Sequence, residues 1–357
     1  MTTRIDWLRG CGTALVTPFA ATGDVDEPRF RALVERQIAS GVPLLVPCGT
    51  TGEAATLDPQ EQRRLIALTV EVARGRARVI AGVGSNATAV TIERARAARA
   101  AGADAILVVA PYYNKPTQAG LVAHFRAVAE AVDVLPVVLY NVPGRTASNI
   151  SAATTLTLAR ERDNIVGTKE ASGDLQQIMA ILRDRPPHFR VLSGDDAVTL
   201  PLIALGADGV VSVVSNEAPD LMARLTELAL RGEWAAARAL HYRLLPLMEA
   251  NFLESNPGPA KAALAALGLL QEHYRLPLVP VQEQTRARLR GARGAWPPAR
   301  RGACRCVIAS RHSPRRRPRA TATPTGRCSP SFGRGSPAVR FARPNGPQTG
   351  RGASMPG

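Results

Sequence analysis

The segment Asn164-Ile165-Val166-Gly167-Thr168-Lys169-Glu170-Ala171-Ser172-Gly173 decides how this chain is read. It opens as a short apolar run and closes as a polar turn, so it reads as a strand ending at a lysine. A strand that buries its start in a barrel carries its last side chain to the mouth of the pocket. Lysine is scarce here: among 45 basic residues only Lys115, Lys169 and Lys261 are lysines. A lysine desolvated in a pocket loses part of its solution pKa of ~10.4. The neutral amine can then attack a ketone and form a Schiff base. Taken alone, Lys169 also fits a solvated strand-end lysine, and the flanking segments decide between the two.

Working outward, the same strand-then-helix unit occurs eight times. Strands are expected at Thr13–Thr17, Leu44–Pro47, Val79–Val83, Ala105–Val109, Pro136–Tyr140, Ile165–Lys169, Arg190–Ser193 and Gly209–Val213. Helices are expected over Pro28–Ala39, from Asp58-Pro59 onward, and over Ala87–Ala100, Gln118–Ala131, Ala152–Arg160, Asp174–Leu182, Asp196–Leu205 and Pro219–Leu230. Phe30, Leu33, Val34 and Ile38 share one face of the first helix, and Asp58 followed by Pro59 is a helix-start signal. Glycine turns such as Gly102-Ala103-Asp104 and Gly206-Ala207-Asp208 stop helices before the next strand. Alternating strands and helices imply a parallel sheet, and near-continuous apolar strands imply a sheet covered on both faces. Eight such units close into a (β/α)8, or TIM, barrel, for which ~250 residues suffice.

The 357 residues exceed that need. Three further helices are expected at Trp234–Asn251, Pro259–Leu270 and Val281–Leu289, the first burying Trp234, Leu240, Leu244, Leu247 and Met248. The expected division is a barrel over 1–232, C-terminal helices over 233–290 and a tail over 291–357. The tail carries 14 arginines and no lysine, aspartate or glutamate, whereas residues 1–290 hold 31 basic and 29 acidic residues. The formal net charge of +16 therefore belongs almost wholly to the tail. Rich in Arg, Pro, Gly and Ser and without periodicity, the tail is expected to be disordered. Phosphate neutralisation by its arginines would suit nucleic acid. With only Trp296, Phe332 and Phe341 it lacks a stacking surface, so a solvated or out-of-frame segment is the competing reading.

Cys11 and Cys48 lie far apart in apolar surroundings, a reduced pattern rather than a disulfide framework. Cys304 and Cys306 are too sparse for zinc, Cys328 stands alone, and the five histidines are scattered, so no metal site is expected. The first residues contain no apolar signal run and no stretch approaches the ~20 apolar residues of a membrane helix, so a cytoplasmic protein is expected.

Barrel chemistry sits at the C-terminal ends of strands. There the sequence places Gly49-Thr50-Thr51-Gly52-Glu53, Tyr112-Tyr113-Asn114-Lys115-Pro116, Tyr140-Asn141-Val142-Pro143-Gly144-Arg145-Thr146, Gly167-Thr168-Lys169-Glu170-Ala171 and Ser193-Gly194-Asp195-Asp196. The first is a tight turn whose free amides suit a small carboxylate. Each signal is weak alone, but their joint order resembles the dihydrodipicolinate synthase family, also called 4-hydroxy-tetrahydrodipicolinate synthase, among the pyruvate-dependent class I aldolases. The resemblance covers about residues 10–290 and includes Asn256-Pro257-Gly258-Pro259-Ala260-Lys261. The tail matches nothing in that family.

The resemblance implies that Lys169 forms a Schiff base with pyruvate, with no other cofactor. Tyr140 would be the general acid/base, in a hydroxyl relay with Thr50 and Tyr113. It further implies that Tyr113 reaches into a neighbouring subunit's site, hence a tight dimer usually paired into a tetramer. Thr51 and the turn amides would hold the pyruvate carboxylate. Arg145 would grip that of L-aspartate 4-semialdehyde through its fork. The Val211 main chain would line the pyruvate pocket. Asp195 and Asp196 read as structural or helix-capping. The implied product is 4-hydroxy-tetrahydrodipicolinate, on the diaminopimelate route to lysine.

Members inhibited by L-lysine bind it with two histidines, a glutamate, an asparagine and a tyrosine. Asn86 and Tyr112 match; the histidine positions fall on Pro59 and Gln62 and the glutamate on Val90. Weak or absent feedback inhibition is therefore expected. Sister enzymes of the N-acetylneuraminate lyase or 2-keto-3-deoxy sugar-acid aldolase type share the lysine and first tyrosine, but generally lack counterparts of Tyr113 and Arg145. A barrel scaffold acting through its basic tail is the alternative from another class.

Overall fold

The computed structural model describes residues 5–292. The tail expected to be disordered therefore lies outside the described residues from 293 onward. Eight parallel strands, β1 (Gly10–Ala14), β2 (Leu44–Val46), β3 (Arg78–Gly82), β4 (Ala105–Val109), β5 (Val137–Asn141), β6 (Ile165–Glu170), β7 (Arg190–Ser193) and β8 (Gly209–Ser212), close in sequence order. The last pairs back onto the first through Val211 opposite Gly12. The expected TIM barrel is the observed fold. The first strand begins three residues earlier than expected, because Gly10 and Cys11 pair with Gly209 and Val210 to close the ring.

Helices α1 (Glu27–Ala39), α2 (Pro59–Ala73), α3 (Thr88–Ala100), α4 (Gln118–Ala131), the single turn α5 (Pro143–Thr146), α6 (Ala152–Glu161), α7 (Leu175–Asp184), α8 (Thr199–Ala204) and α9 (Pro219–Leu230) follow the strands. The Asp58 carboxylate accepts from the amides of Gln60 and Glu61, and the Glu61 side chain caps Asp58 in return, so α2 starts at a full capping box. At the opposite barrel end the Gly-Ala-Asp turns do more than stop helices. Asp104 accepts from the Val79 amide at 2.8 Å and Asp208 from the Val191 amide at 2.9 Å, so each clamps the preceding strand.

Strand side chains sort by parity. Leu44, Val46, Ile80, Leu107, Val138, Tyr140, Val166, Leu192 and Val211 fill the barrel interior. Leu45, Val79, Ala81, Ile106, Val108, Val137, Leu139, Ile165 and Val191 pack outward with the helices.

Three more helices, α10 (Trp234–Ala250), α11 (Gly258–Ala266) and α12 (Glu283–Gly291), complete the described chain. Leu244, Leu247, Met248, Ala262, Ala263, Val281 and Leu289 join Val210, Met222 and Leu225 in one cluster. Trp234 does not belong to that face: it sits at the first position of α10 and is 43% exposed.

Candidate active site

The route from sequence to site runs through an irregularity in β6. Along β5 and β6, Val137 pairs with Ile165 but Val138 pairs with Gly167, so β6 carries an extra residue at Val166. Val166 faces the interior, and strict alternation would turn residue 168 inward and residue 169 outward. The bulge reverses this parity. Lys169 then pairs with Tyr140, and its Nζ lies 4.1 Å from the centroid of the Tyr140 ring. Lys169 is 5% exposed and Tyr140 6%. The bulge needs Gly167, where a Cβ would lie 2.6 Å from the Arg190 carbonyl oxygen. On the other side Gly194 leaves room for the lysine stem, since a Cβ there would meet Lys169 Cε at 3.1 Å and Ala171 Cβ at 2.6 Å.

The turn after β2 supplies the next wall. Gly52 and Glu53 donate backbone hydrogen bonds to Gly49 and Thr50. No carbonyl among the described residues accepts from the amides of Thr50 and Thr51. These free donors suit a small anion. Thr51 is buried, and its Oγ1 accepts from Asn256 Nδ2 at 2.9 Å. The turn is fastened from below by Glu53, whose Oε1 accepts from Lys261 Nζ at 2.6 Å, with both side chains at most 1% exposed. Burial pushes the Glu53 carboxyl up and the Lys261 amine down, each opposed by the partner's charge. The rings of Phe19 and Tyr274 lie 4.4 and 5.0 Å from Lys261 Nζ.

A cavity of about 410 Å³ opens at this end, its walls including Thr50, Tyr112, Tyr140, Arg145 and Asn256. Arg145 projects from α5, and its Nη2 donates to the Asn256 carbonyl at 3.4 Å. Lys169 reaches this wall through Tyr140, while Val211 belongs with Tyr140 to the interior cluster. Tyr113 is not brought together with the others. It is 88% exposed at φ +73°, in the left-handed region, while its neighbour Tyr112 lines the cavity.

Four further polar residues shape the site, all inside segments singled out in the sequence but given no role there: Glu53, Asn141, Glu170 and Asn256. Glu170 accepts from Asn141 Nδ2 at 2.8 Å and from Ser172 Oγ at 2.6 Å, fixing the end of β6 against β5. Burial pushes its carboxyl up. Asn141 Oδ1 in turn accepts from the Ile150 amide at 2.9 Å. Polar residues inside apolar strand ends were the available signal, because a buried polar group requires partners.

Asp195 and Asp196 hold the loop after β7. Asp196 is not a helix cap: its Oδ2 accepts from the Val213 and Val214 amides, both at 2.9 Å, and ties β7 to the turn after β8. Its helix α8 consequently starts at Thr199, three residues later than expected. Among the described residues no three His, Cys, Asp or Glu side chains gather as a metal cluster, and no helix is long and apolar enough to cross a membrane.

A closed (β/α)8 barrel with an interior lysine at the end of β6, under a tyrosine from β5, defines a lyase of the class I aldolase type. The chain belongs to the dihydrodipicolinate synthetase family, whose model matches residues 7–292. It is 57% identical over 283 residues to the 4-hydroxy-tetrahydrodipicolinate synthase of Koribacter versatilis, covering 79% of this chain and 94% of that one. It is similar to the solved dihydrodipicolinate synthase of Acinetobacter baumannii complexed with pyruvate, with a TM-score of 0.78 and 44% identity, covering 80% of this chain and 98% of that one. A monomeric dihydrodipicolinate synthase variant matches with a TM-score of 0.78 and 42% identity, over 80% and 96% of the two chains.

Proposed function

We propose that this protein condenses pyruvate with L-aspartate 4-semialdehyde to give 4-hydroxy-tetrahydrodipicolinate, through a Schiff base on Lys169. The observation that carries the reading is the Lys169–Tyr140 pair, with Nζ 4.1 Å from the ring centroid, beside a cavity walled by Thr50 and Arg145. Lys169 Nζ attacks C2 of pyruvate and water leaves, giving an iminium. The iminium accepts the electron pair of a C3–H bond as that proton departs, and the resulting enamine attacks the aldehyde carbon. The substrate's own amine then adds to C2 and displaces the lysine, closing the ring and regenerating the enzyme.

In this scheme Tyr140 moves protons at the reacting carbons and oxygens. Thr51 and the free amides of the turn hold the pyruvate carboxylate, the Val211 main chain lines the pyruvate pocket, and Arg145 holds the semialdehyde carboxylate. The relay from Tyr140 through Thr50 needs a third hydroxyl. Tyr113, exposed on its own chain, fills that role in a second copy. The assembly is accordingly a tight dimer, paired into a homotetramer, and the reaction is cytoplasmic.

The test is a coupled assay containing both substrates and an excess of the reductase that consumes the product. NADPH loss that requires both substrates and disappears in Lys169→Ala is the expected result. No turnover by a folded wild-type oligomer would overturn the substrate assignment.

A further inference from the structure

Asn256, between α10 and α11, touches both anchors of the proposed site. Its Nδ2 donates to Thr51 Oγ1 at 2.9 Å, and its main-chain carbonyl accepts from Arg145 Nη2 at 3.4 Å. The residue is 5% exposed and lies in the cavity wall, and its Oδ1 is buried without a partner among the described residues. No other partner engages Thr51 Oγ1 among the described residues.

A threonine hydroxyl has one proton and two lone pairs. When an amide donates into a lone pair, the threonine proton is left to point elsewhere. The amide therefore sets the polarity of Thr51, making it a donor, the role an anionic carboxylate requires. We infer that Asn256 is a positioning residue, which holds the Thr51 hydroxyl as a hydrogen-bond donor toward the carboxylate of the 2-oxo acid substrate. The inference rests on the proposed Schiff-base reaction and adds a residue from the C-terminal helical region to it. The Arg145 contact is made by the main chain, so side-chain substitution leaves it in place. That contrast predicts an effect on one substrate and not the other.

The experiment uses the full chain in four forms: wild type, Asn256→Asp, Thr51→Val and the double variant. An aspartate at 256 is nearly isosteric but accepts where the amide donates. It would draw the Thr51 proton toward itself and add a negative charge beside the bound carboxylate. Losing a hydrogen bond to a charged group of this kind corresponds to about a tenfold to hundredfold rise in the KM for pyruvate. The KM for the semialdehyde and kcat should change by less than about threefold. On the Thr51→Val background the Asn256→Asp change should cost clearly less than in the wild type, because the hydroxyl it acts through is gone and only the added charge still opposes the carboxylate. Additive losses, or equal changes in both KM values, would overturn the inference in favour of a merely structural role.

Asn256→Ala, which removes the donor without adding charge, should raise the pyruvate KM by a smaller factor in the same direction. It keeps the test decisive if the aspartate variant does not fold. Half-saturation of borohydride trapping by pyruvate alone reads the same interaction without the second substrate. Trapping that weakens in Asn256→Asp while wild type fails to turn over the semialdehyde would uphold the inference and reject the substrate assignment. Trapping unchanged in a folded variant would reject the inference alone.

Discussion

Replacing Lys261 by methionine tests whether the proposed substrate-binding turn is anchored by its buried ion pair. The Lys261 and Glu53 side chains are 0% and 1% exposed, so water screens neither charge. Methionine retains most of the stem volume, so the dominant change is a carboxylate left in the core without its cation. Breaking a buried pair from one side costs about 3–5 kcal/mol. At about 2–4 °C per kcal/mol, the Tm should fall by roughly 6–20 °C. The loss should depend on pH in a defined sense. Burial raises the Glu53 carboxyl already, and without Lys261 it rises further above its unfolded value of ~4.3. A group whose folded pKa is raised contributes stability that is complete below the unfolded pKa and lost as pH rises through the folded one. The deficit of Lys261→Met should therefore be smallest near pH 4 and grow toward neutrality. Adding Glu53→Gln should recover more than half of it at pH 7, because both members are then uncharged. The assay is urea and thermal unfolding of the four proteins of this cycle across that pH range. A Lys261→Met protein within about 1 kcal/mol of wild type at pH 7, with no pH dependence of the difference, would refute the reasoning.

Other expectations follow from the same geometry. Gly167→Ala places a Cβ 2.6 Å from the Arg190 carbonyl. It should cost about 1–3 kcal/mol in unfolding experiments by overpacking, and on the order of 10²-fold in kcat by displacing Lys169. A stable variant with wild-type kcat would count against the bulge as the device that aims the lysine. Gly194→Ala, with its Cβ 3.1 Å from Lys169 Cε, should slow borohydride trapping of pyruvate while the circular dichroism spectrum stays native. In the native protein Cys11 and Cys48 should resist alkylation when mapped by mass spectrometry, since both are buried and burial pushes the Cys48 thiol up to about 12. L-Lysine should not inhibit at micromolar concentration: Gln62 is occupied with the Ala54 carbonyl at 3.1 Å, and Val90 offers no carboxylate. Micromolar inhibition would show that another cluster replaces the missing groups.

The eightfold alternation was legible because each strand is apolar on both faces and each helix carries one apolar stripe. Those local patterns suffice for a barrel once the units number eight. The strand-end segments were legible for a related reason, since clusters of polar residues follow the apolar runs there. Sequence also separated the arginine tail from a nearly neutral body. It did not reveal which way Lys169 points. Period-two alternation carried from Val166 would aim it at the helices. Only the irregular pairing with β5, together with Gly167, which tolerates the approach of the Arg190 carbonyl from β7 that any side chain would block, turns it toward Tyr140. Glycine inside an apolar strand was the sequence's one hint of this. The other tertiary decisions join residues about two hundred positions apart: Asn256 on Thr51, and Lys261 on Glu53. No local pattern encodes such partners. Their pairing is set by the closure of the barrel and the docking of α11 beside the turn after β2, and by the cost of leaving a buried amide or charge unmatched.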